Sequence, residues 1–578
     1  MIIYRNPTLF LVLFLITLVK GTLGQSESKD LPVYDSPLHL PIRLSATFGE
    51  LRANHFHAGI DLKTEQKTGF QVCTIDNGYV ARIAVSPTGY GKAIYIAHPN
   101  GYTSVYGHLE KFAPAIDSFV VAIQYQKKSY SIDYELRPGQ ISLNKGDLIA
   151  YSGNTGSSGG PHVHFEIRDS RTQDALNPLD FGIAARDFIR PKIEFIKLYP
   201  GDSSSTINGK QKPERFETAG WGPAYRLKQR DTIEVSGSFA IGIACHDLLN
   251  YETNKNGVWA VEFMADSTRF FNAEMRRIAF GDTRYIQAMT DYTEYRTSGN
   301  WVIWSRRLPG DNLPFLEATN NGIVKIEPGR VVRLQANIKD IAGNVSVLSF
   351  VVKGILAPQL PKILDEDTTR HSLAVQWNKP VNYSWAGLSF SADGGSFYES
   401  FRLTTDTLER RKTFYSPLYK LHRVTTPIHK AVTLSIKPDR DFGSLAGKLL
   451  IGLVNHKGIT SAAGGSYKNG VVTTRIREFG SYTIVVDTTP PLIKAINIRN
   501  KMKLDTIREI RIQISDDFSG IESYTPELNG SWHLMEYDAK LKLLFCPVDG
   551  FTRGENKLKL VVADQKGNVA EVEYTLYK

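Results

Sequence analysis

The segment from Gly160 to Arg168 alternates between polar and apolar residues with a period of two. Read as a β-strand, it places His162, His164 and Glu166 on one face and the apolar residues between them on the other. The apolar face requires a core, and the polar face offers two imidazoles roughly 6–7 Å apart. At that spacing one histidine can bind a metal ion while the other reaches a metal-bound water. The pattern predicts a β fold with a candidate metal site on this strand.

A second polar motif runs from His57 to Asp61 and supplies an imidazole and a carboxylate. Together with a histidine of the downstream strand, it gives three N/O ligands. Three protein ligands and one open position are typical of a catalytic zinc site rather than a structural one. The structural alternative is a hydrogen-bonded histidine–aspartate pair that fixes a turn. His55 is either a competing ligand or a neighbouring residue outside the ligand set.

Three further features lie near these motifs. His108 is a candidate site residue, and Tyr106 shares its strand face. Glu166 either orients a metal ligand or is a surface carboxylate. The glycine-rich loop 153–160 lacks the Lys-Ser/Thr ending of a phosphate-binding loop and leads into a strand. We interpret this loop as a backbone-rich wall beside the metal.

The fold class follows from the rest of the chain. At 578 residues the chain is too long for one core. Short strand-like segments bounded by Gly and Asn turns continue to the C terminus, with almost no convincing helical stretch. We predict a mainly β protein, in which a small antiparallel β domain is followed by several immunoglobulin-like β-sandwich domains.

The predicted domains differ in their turn signals. The pattern Asp-x-x-Gly-Asn-Val occurs at 340–345 and again at 564–569, each time between two strands. The segment 487–491 reads as a linker that opens a domain, and 516–520 reads as a loop within it. The predicted division is a signal peptide at 1–24, a first domain at 25–190 with an inserted hairpin or flap at about 117–140, an immunoglobulin-like domain at 191–357, a β-rich domain of unassigned type at 358–486, and a C-terminal immunoglobulin-like domain at 487–578.

The first 24 residues have the features of a secretory signal. Arg5 provides a positive charge, an apolar run follows from Thr8 to Val19, and small residues precede position 25. The apolar run is shorter than the roughly 20 residues of a membrane span. A cleaved signal is the prediction, and an uncleaved anchor is the alternative. No second long apolar run occurs, so no transmembrane segment is expected in the mature chain.

The net charge and the cysteine content limit the classes of binding partner and of covalent cross-link that we expect. A formal net charge of +10 suits anionic polymers or membrane surfaces, but we interpret it as a contribution to solubility. No nucleic-acid-binding motif is present, so no nucleic-acid partner is expected. Cys73, Cys245 and Cys546 are far apart among apolar neighbours, which indicates buried free thiols rather than a disulfide framework.

Three motifs, in order, resemble those of the LytM/lysostaphin-type zinc endopeptidases, peptidase family M23. They lie at 57–61, 106–109 and 160–166, and the resemblance covers about residues 44–180. It implies that His57, Asp61 and His164 bind one zinc ion. It also implies that His108 and His162 are the catalytic histidines. The order in which these two act stays open.

The resemblance further implies a small antiparallel β domain with its site in a groove and the peptide part of bacterial peptidoglycan as substrate. The predicted function is an exported zinc endopeptidase that hydrolyses peptidoglycan cross-links in the periplasm or cell envelope, or after secretion. The immunoglobulin-like domains would position the enzyme or bind envelope proteins. The alternatives are a non-catalytic envelope scaffold and a carboxypeptidase that trims terminal residues.

Overall fold

The structure is a computed structural model that describes residues 31–183, 185–229, 232–359, 371–409 and 411–578. About 47% of the chain is strand and 9% is helix, which confirms the mainly β fold class. The predicted signal at 1–24 lies outside the described residues. Among the described helices, none combines the length and the apolar character needed to cross a membrane.

The first strand group, residues 44–176, contains strands β1 to β12 and one α-helix. The helix α1, Pro114–Lys127, lies between β7 and β8, and a 3₁₀ turn follows β12 at Pro178–Phe181. The strands are Leu44–Ala46, Ile60–Lys63, Gln71–Cys73, Gly78–Val85, Lys92–Ala97, Tyr102–Leu109, Lys111–Phe112, Ile132–Glu135, Ser142–Leu143, Leu148–Tyr151, His162–Asp169 and Ala175–Leu176.

The main sheet of this group has the order β1-β2-β11-β6-β5-β4-β8, and all of these pairings are antiparallel. Strand β11 carries the alternating motif and lies between β2 and β6. Its apolar residues Val163, Phe165 and Ile167 are completely buried, as the alternation predicts. A central strand with a buried apolar face holds its polar side chains in a fixed register.

The segment at about 117–140 is not the predicted hairpin or flap. It begins within α1, whose buried residues Ile116, Val120, Ile123 and Gln124 follow a helical period, and Pro114 occupies the first turn. It continues into β8, which pairs with β4 at the sheet edge. The polar, Tyr- and Lys-containing residues of this segment suggest an inserted hairpin, whereas the spacing of its buried residues fits one helical face.

The second strand group, residues 192–354, forms a 12-stranded sheet, apart from β20. Its helices are α2, Ile286–Met289, and α3, Tyr292–Ser298, with 3₁₀ turns at Phe280–Tyr285 and Thr319–Gly322. Strands β13 to β25 are Lys192–Pro200, Thr206–Ile207, Glu214–Trp221, Ala224–Leu227, Thr232–His246, Ala260–Ala265, Thr268–Glu274, Arg277–Ile278, Ile303–Trp304, Leu316–Ala318, Val324–Ile326, Val331–Lys339 and Val345–Gly354.

The third strand group, residues 371–486, forms sheets of six and five strands around one buried cluster. A 3₁₀ turn lies at Gly443–Lys448. Strands β26 to β36 are His371–Val375, Val381–Trp385, Leu388–Ala392, Phe401–Leu408, Leu418–Leu421, Val432–Ile436, Leu449–Val454, Thr460–Gly464, Ser466–Lys468, Val471–Ile476 and Gly480–Val486.

The fourth strand group, residues 492–577, forms sheets of four and five strands around another cluster. A 3₁₀ turn lies at Val548–Gly550. Strands β37 to β45 are Leu492–Ala495, Met502–Lys503, Glu509–Ser515, Ile521–Leu528, Ser531–Trp532, Glu536–Asp538, Leu543–Pro547, Glu555–Asp564 and Val569–Tyr577. The domain limits and the immunoglobulin-like type assigned from sequence stay predictions.

The second and fourth strand groups both contact the first strand group. One continuous hydrophobic cluster contains residues of both the first and second groups, and β20 pairs with β12 across their boundary. The fourth group also contacts the first, where the Glu536 carboxylate lies 2.7 Å from Lys92 Nζ. The rings of Tyr125 and Trp532 meet edge to face at 5.2 Å. The candidate site is therefore surrounded by parts of the chain that are distant in sequence.

Candidate active site

His57, Asp61 and His164 come together in the buried part of the first strand group. Asp61 Oδ1 lies 3.1 Å from His57 Nε2 and 2.9 Å from His164 Nδ1, and the two nitrogens are 3.1 Å apart. These separations are close to the roughly 3.3 Å between ligand atoms of a tetrahedral zinc site with bonds of about 2.0–2.1 Å. The three residues could therefore hold a metal ion.

The main chain explains why these side chains meet. Asp61 on β2 is the direct partner of His164 on β11 in the antiparallel register. Opposite residues of such a pair project their side chains to the same face. A Cβ at Gly59 would lie only 2.3 Å from the Phe165 carbonyl oxygen, so glycine is required between the two ligands of the upstream motif.

Hydrogen bonds orient both imidazoles toward the same point. The Thr47 carbonyl lies 2.8 Å from His57 Nδ1, and the Glu166 carboxylate lies 2.8 Å from His164 Nε2. Because a carbonyl and a carboxylate accept, these two nitrogens carry the donated protons. In neutral imidazoles, His57 Nε2 and His164 Nδ1 then present lone pairs toward each other and toward Asp61. This donor set fits a bound cation.

Glu166 is completely buried, so the surface-carboxylate alternative is wrong. Its carboxylate also accepts hydrogen bonds from Arg168 Nε at 2.6 Å and from the Tyr90 hydroxyl at 2.5 Å. Burial alone would raise the pKa of Glu166, but Arg168 and His164 lower it to about 2. Glu166 therefore remains charged and fixes the His164 tautomer.

The electrostatic surroundings of Asp61 and His164 favour a positive charge between these two side chains. Burial opposes ionisation of Asp61, but the neighbouring histidines hold its pKa well below the usual value. Burial likewise disfavours charged His164, yet Asp61 and Glu166 raise its pKa to about 9. The raised pKa means that His164 binds a proton readily when no metal ion is bound. A metal ion has to displace that proton to bind.

His108 and His162 lie beside the ligand cluster, with their ring centroids 4.8 Å apart. His108 Nδ1 donates to the Thr155 carbonyl at 2.9 Å, and His162 Nδ1 donates to the Gly160 carbonyl at 2.8 Å. Each ring therefore has Nε2 as its second nitrogen, and Nε2 of His162 lies 3.5 Å from Asp61 Oδ1. Burial, followed by the charges of the neighbouring histidines, lowers the pKa of His108 to about 3, so this ring is neutral near pH 7.

A β-bulge sets the direction of His108. The register between β5 and β6 shifts at this point, and His108 has a φ of 61°, which non-glycine residues adopt rarely. The predicted shared face of Tyr106 and His108 is therefore wrong. Tyr106 is buried in the core, and its hydroxyl accepts a hydrogen bond from the Ile75 amide at 3.2 Å. The alternation of a regular strand could not predict this bulge.

The histidines open onto a cleft of about 510 Å³. Phe280 and Thr283 of the second strand group line one side of it. His55 is exposed at the rim and is not among the three clustered ligands. The cleft provides access for a substrate to a cluster that is otherwise buried.

The sequence analysis did not identify several residues of this site. Arg168 extends the alternating face of β11 by one step, so its position was available from the pattern. Arg52, whose Nη2 lies 3.6 Å from Asp61 Oδ2, and Tyr90 come from loops without such a signal. Lys540 of the fourth strand group donates to the carbonyls of Asn154 and Ser158 in the glycine-rich loop. Such contacts depend on tertiary structure.

Two family models match this chain. Residues 55–125 match the one described as peptidase family M23, and residues 372–487 match the one described as a Zu5-like domain. The first match contains the upstream motif and His108. The second falls on the predicted β-rich domain to which the sequence assigned no type.

Curated relatives match over a limited region. An uncharacterized metalloprotease of Haemophilus influenzae is 32% identical over 162 residues, which is 27% of this chain and 28% of the relative. The DD-carboxypeptidase/endopeptidase Mpg of Neisseria meningitidis is 29% identical over 131 residues, covering 22% of this chain and 24% of the relative. The chain thus spans about a quarter of the length of these relatives.

Among solved structures, similarity extends to the catalytic domain of the prophage-encoded M23 protein EnpA from Enterococcus faecalis. That chain is 22% identical, with 26% of this chain and 98% of the other covered, at a TM-score of 0.19. The catalytic domain of lysostaphin from Staphylococcus simulans is also 22% identical, with coverages of 25% and 93% and a TM-score of 0.19.

Proposed function

We propose that this chain, an M23 family peptidase by its first strand group, is an exported zinc endopeptidase that hydrolyses peptide cross-links of bacterial peptidoglycan. The observation that carries the proposal is the convergence of three ligand atoms within 4.8 Å, beside two further histidines that face an open cleft. A site with all five side chains in place supports catalysis rather than a purely structural role.

Each histidine of the site has a role in the proposed reaction. When bound, zinc lowers the pKa of a water molecule and polarises the scissile carbonyl. His57, Asp61 and His164 would hold the ion. Neutral His108 can accept a proton at Nε2, because its lowered pKa keeps the ring unprotonated near pH 7. His162 would then stabilise the oxyanion or protonate the leaving amine through Nε2.

Peptidoglycan as the substrate is supported by the relatives that carry the name DD-carboxypeptidase/endopeptidase. The same name favours a second candidate, the release of single terminal residues by carboxypeptidase action. Export is supported by the signal features predicted at 1–24 and places the protein in the periplasm or cell envelope, or outside the cell. The strand groups beyond the first would then bind envelope partners or position the enzyme.

The test incubates residues 25–578 with purified, cross-linked peptidoglycan and identifies the soluble products by mass spectrometry. Endopeptidase action converts cross-linked fragments into uncross-linked ones, and carboxypeptidase action releases single amino acids. Removal of zinc should stop the reaction and added zinc should restore it. The His108→Ala variant should be inactive, and His55→Ala, which changes an exposed rim residue, should be active.

A zinc-loaded wild type that releases neither product, while it cosediments with peptidoglycan, would overturn the enzymatic proposal. That result would favour the non-catalytic scaffold. Release of single residues without loss of cross-links would instead replace the endopeptidase with the carboxypeptidase.

A further inference from the structure

A second cluster of carboxylates lies outside the active site, at the boundary of the first and second strand groups. Asp187, Asp247 and Asp340 are 8%, 3% and 3% exposed, and an oxygen of each lies within 4.8 Å of the others. Within the part of the chain that the structure describes, no lysine or arginine forms an ion pair with any of them. Three buried carboxylates without a cation repel one another strongly.

Several oxygen atoms at this cluster have no hydrogen-bond donor. Asp187 Oδ2 and Asp247 Oδ1 are buried and unpartnered, and so is Oδ1 of Asn256, a side chain that is 3% exposed. Asn256 and Asp247 are direct partners in an antiparallel bridge, with both main-chain hydrogen bonds at 2.9 Å. Opposite residues of such a bridge project to the same face, so the Asn256 side chain lies on the side of the sheet that carries Asp247. Buried acceptors without a donor require a partner, and a cation is one that can satisfy several oxygen atoms at once.

The loop that carries Asp340 is already ordered by its own contacts. Asn344 donates from its main-chain amide to Asp340 Oδ1 at 2.8 Å and from Nδ2 to Asp340 Oδ2 at 2.7 Å. Asp187 Oδ1 accepts a hydrogen bond from the Ile189 amide at 3.0 Å. These contacts hold two of the three carboxylates in place, so a bound ion would need little rearrangement of the chain.

The arrangement recurs in the fourth strand group, where Asp487, Asp516 and Asp564 form the equivalent cluster. Asn568 donates to Asp564 from its amide at 2.8 Å and from Nδ2 at 2.7 Å, which repeats the contacts of Asn344. These loops are the two copies of the repeated sequence pattern. A geometry built twice from the same pattern indicates a structural unit.

The two copies differ at one position that bears on charge. The fourth group has Lys566 in its loop, and Lys566 interacts electrostatically with Asp487 and Asp564. The corresponding residue of the second group is Ala342, which is exposed and has no charge. The loop of the second group thus has no equivalent of Lys566, whose ammonium donates to the carbonyls of Leu449 and Gly465 in the fourth group's surroundings.

We propose that Asp187, Asp247 and Asp340 bind one calcium ion, with the Asn256 amide oxygen as a further ligand. The ligands are oxygen atoms only, which hard cations prefer, whereas zinc favours nitrogen and sulfur. Calcium accepts six to eight oxygen ligands in flexible geometry, and the carboxylates can each supply one or two. Magnesium demands a stricter octahedron and usually keeps several waters.

The carboxylate cluster lies close to a segment that supports the active site. The cavity of about 70 Å³ at the cluster is also lined by Thr47 and Gly257, and Thr47 Oγ1 donates to the Gly257 carbonyl at 3.2 Å. The Thr47 carbonyl orients His57 in the active site. Calcium therefore ties the loop after β17 to the segment that supports a zinc ligand, and stabilises the boundary of the two strand groups.

The test measures calcium binding by the zinc-loaded mature chain in equilibrium dialysis with radioactive calcium chloride, after removal of calcium by passage over a chelating resin. Asp340→Asn should bind one calcium fewer than the wild type. Calcium should raise the unfolding temperature of the wild type through this site, and this rise should be smaller in the variant. Asp311→Asn, which changes another buried aspartate of the second strand group, should behave like the wild type.

A second variant, Ala342→Lys, places a lysine where the fourth group has one, at an exposed position that tolerates the larger side chain. The added positive charge near the carboxylates should weaken calcium binding while the exposed position leaves the fold intact, which keeps the test valid if Asp340→Asn does not fold. Equal calcium binding by Ala342→Lys and the wild type would overturn the proposal, as would a wild type that binds no calcium. Full displacement of calcium by an equal concentration of magnesium chloride would overturn the choice of ion.

Discussion

Asp61 and His164 lie directly opposite each other on the antiparallel strands β2 and β11, with Asp61 Oδ1 2.9 Å from His164 Nδ1. Their separation is set by the main-chain ladder, and Glu166, on the same strand, orients the imidazole. Two of the proposed zinc ligands are thus held by sheet geometry, and only His57 reaches the site from a loop.

Loss of a proposed ligand should abolish zinc binding. Asp61→Ala and His164→Ala each remove one of three protein ligands, so neither variant should retain stoichiometric zinc after dialysis, as measured by atomic emission. His55→Ala, two residues before His57 and exposed, is the matched control and should keep its zinc. Stoichiometric zinc in His164→Ala would exclude this residue from the ligand set.

His108 should be required for turnover and not for zinc. Its Nδ1 is held by the Thr155 carbonyl, and none of its atoms belongs to the clustered ligand set. His108→Ala should therefore contain wild-type zinc and lose activity by about 10²–10⁴-fold, the usual contribution of a positioned acid or base. Peptidoglycan hydrolysis and zinc content are measured on the same preparation. Full activity would remove His108 from the mechanism.

Glu166 should act on the metal through His164. Glu166→Gln keeps the size of the side chain and removes its charge, so the His164 tautomer is fixed less strongly and zinc affinity should fall about 10–100-fold. Competition with a chromogenic zinc chelator measures this affinity. Glu135→Gln changes an exposed glutamate of β8 and should leave it unaltered. If both variants bind zinc equally well, the orienting role is wrong.

Lys540 should support the catalytic loop from a distant strand group. Its ammonium donates to the carbonyls of Asn154 and Ser158, in the loop that also positions His108 through Thr155. Removal of these hydrogen bonds in Lys540→Ala should cost about 1 kcal/mol, or about fivefold in kcat/KM, without loss of zinc. Lys542→Ala, at an exposed position nearby, is the control. An unchanged kcat/KM in Lys540→Ala would show that the Lys540 contacts have no effect on catalysis.

The third strand group should lose stability in acid. Burial, followed by the charge of Arg423, lowers the pKa of His422 to about 4. The unfolded chain binds this proton more readily than the folded chain, so protonation of His422 favours unfolding. The folded state keeps its full stability above about pH 6.5 and loses stability as the pH falls toward 4. The loss should be about 2 kcal/mol at pH 5. His422→Asn removes the titration and suits the φ of 55° at this position.

The measurement for His422 compares unfolding temperatures at pH 7 and pH 5. The decrease between them should be smaller in His422→Asn than in the wild type and unchanged in His456→Gln, which alters an exposed histidine. A decrease that is the same in all three proteins would locate the acid sensitivity elsewhere.

The alternation from Gly160 to Arg168 was sufficient to predict a strand with one buried face, because side-chain direction in a strand depends only on local geometry. The same reasoning failed for Tyr106 and His108, where a bulge inserts one residue and reverses the face. The helix α1 was also missed, because the polar, Tyr- and Lys-containing segment suggests an insertion, whereas tertiary packing of its apolar face stabilises a helix.

The sequence by itself determined the mainly β class, the order of the three motifs and the residue types able to bind a metal, since these follow from local periodicity and side-chain chemistry. Only the tertiary structure decided which atoms meet: the register of β2 against β11, the burial of Glu166, the loop contact of Lys540 and the pairing of Asp187 with Asp247 and Asp340. Each of these depends on side chains far apart in the chain, whose approach is set by long-range strand pairing and burial rather than by any local preference.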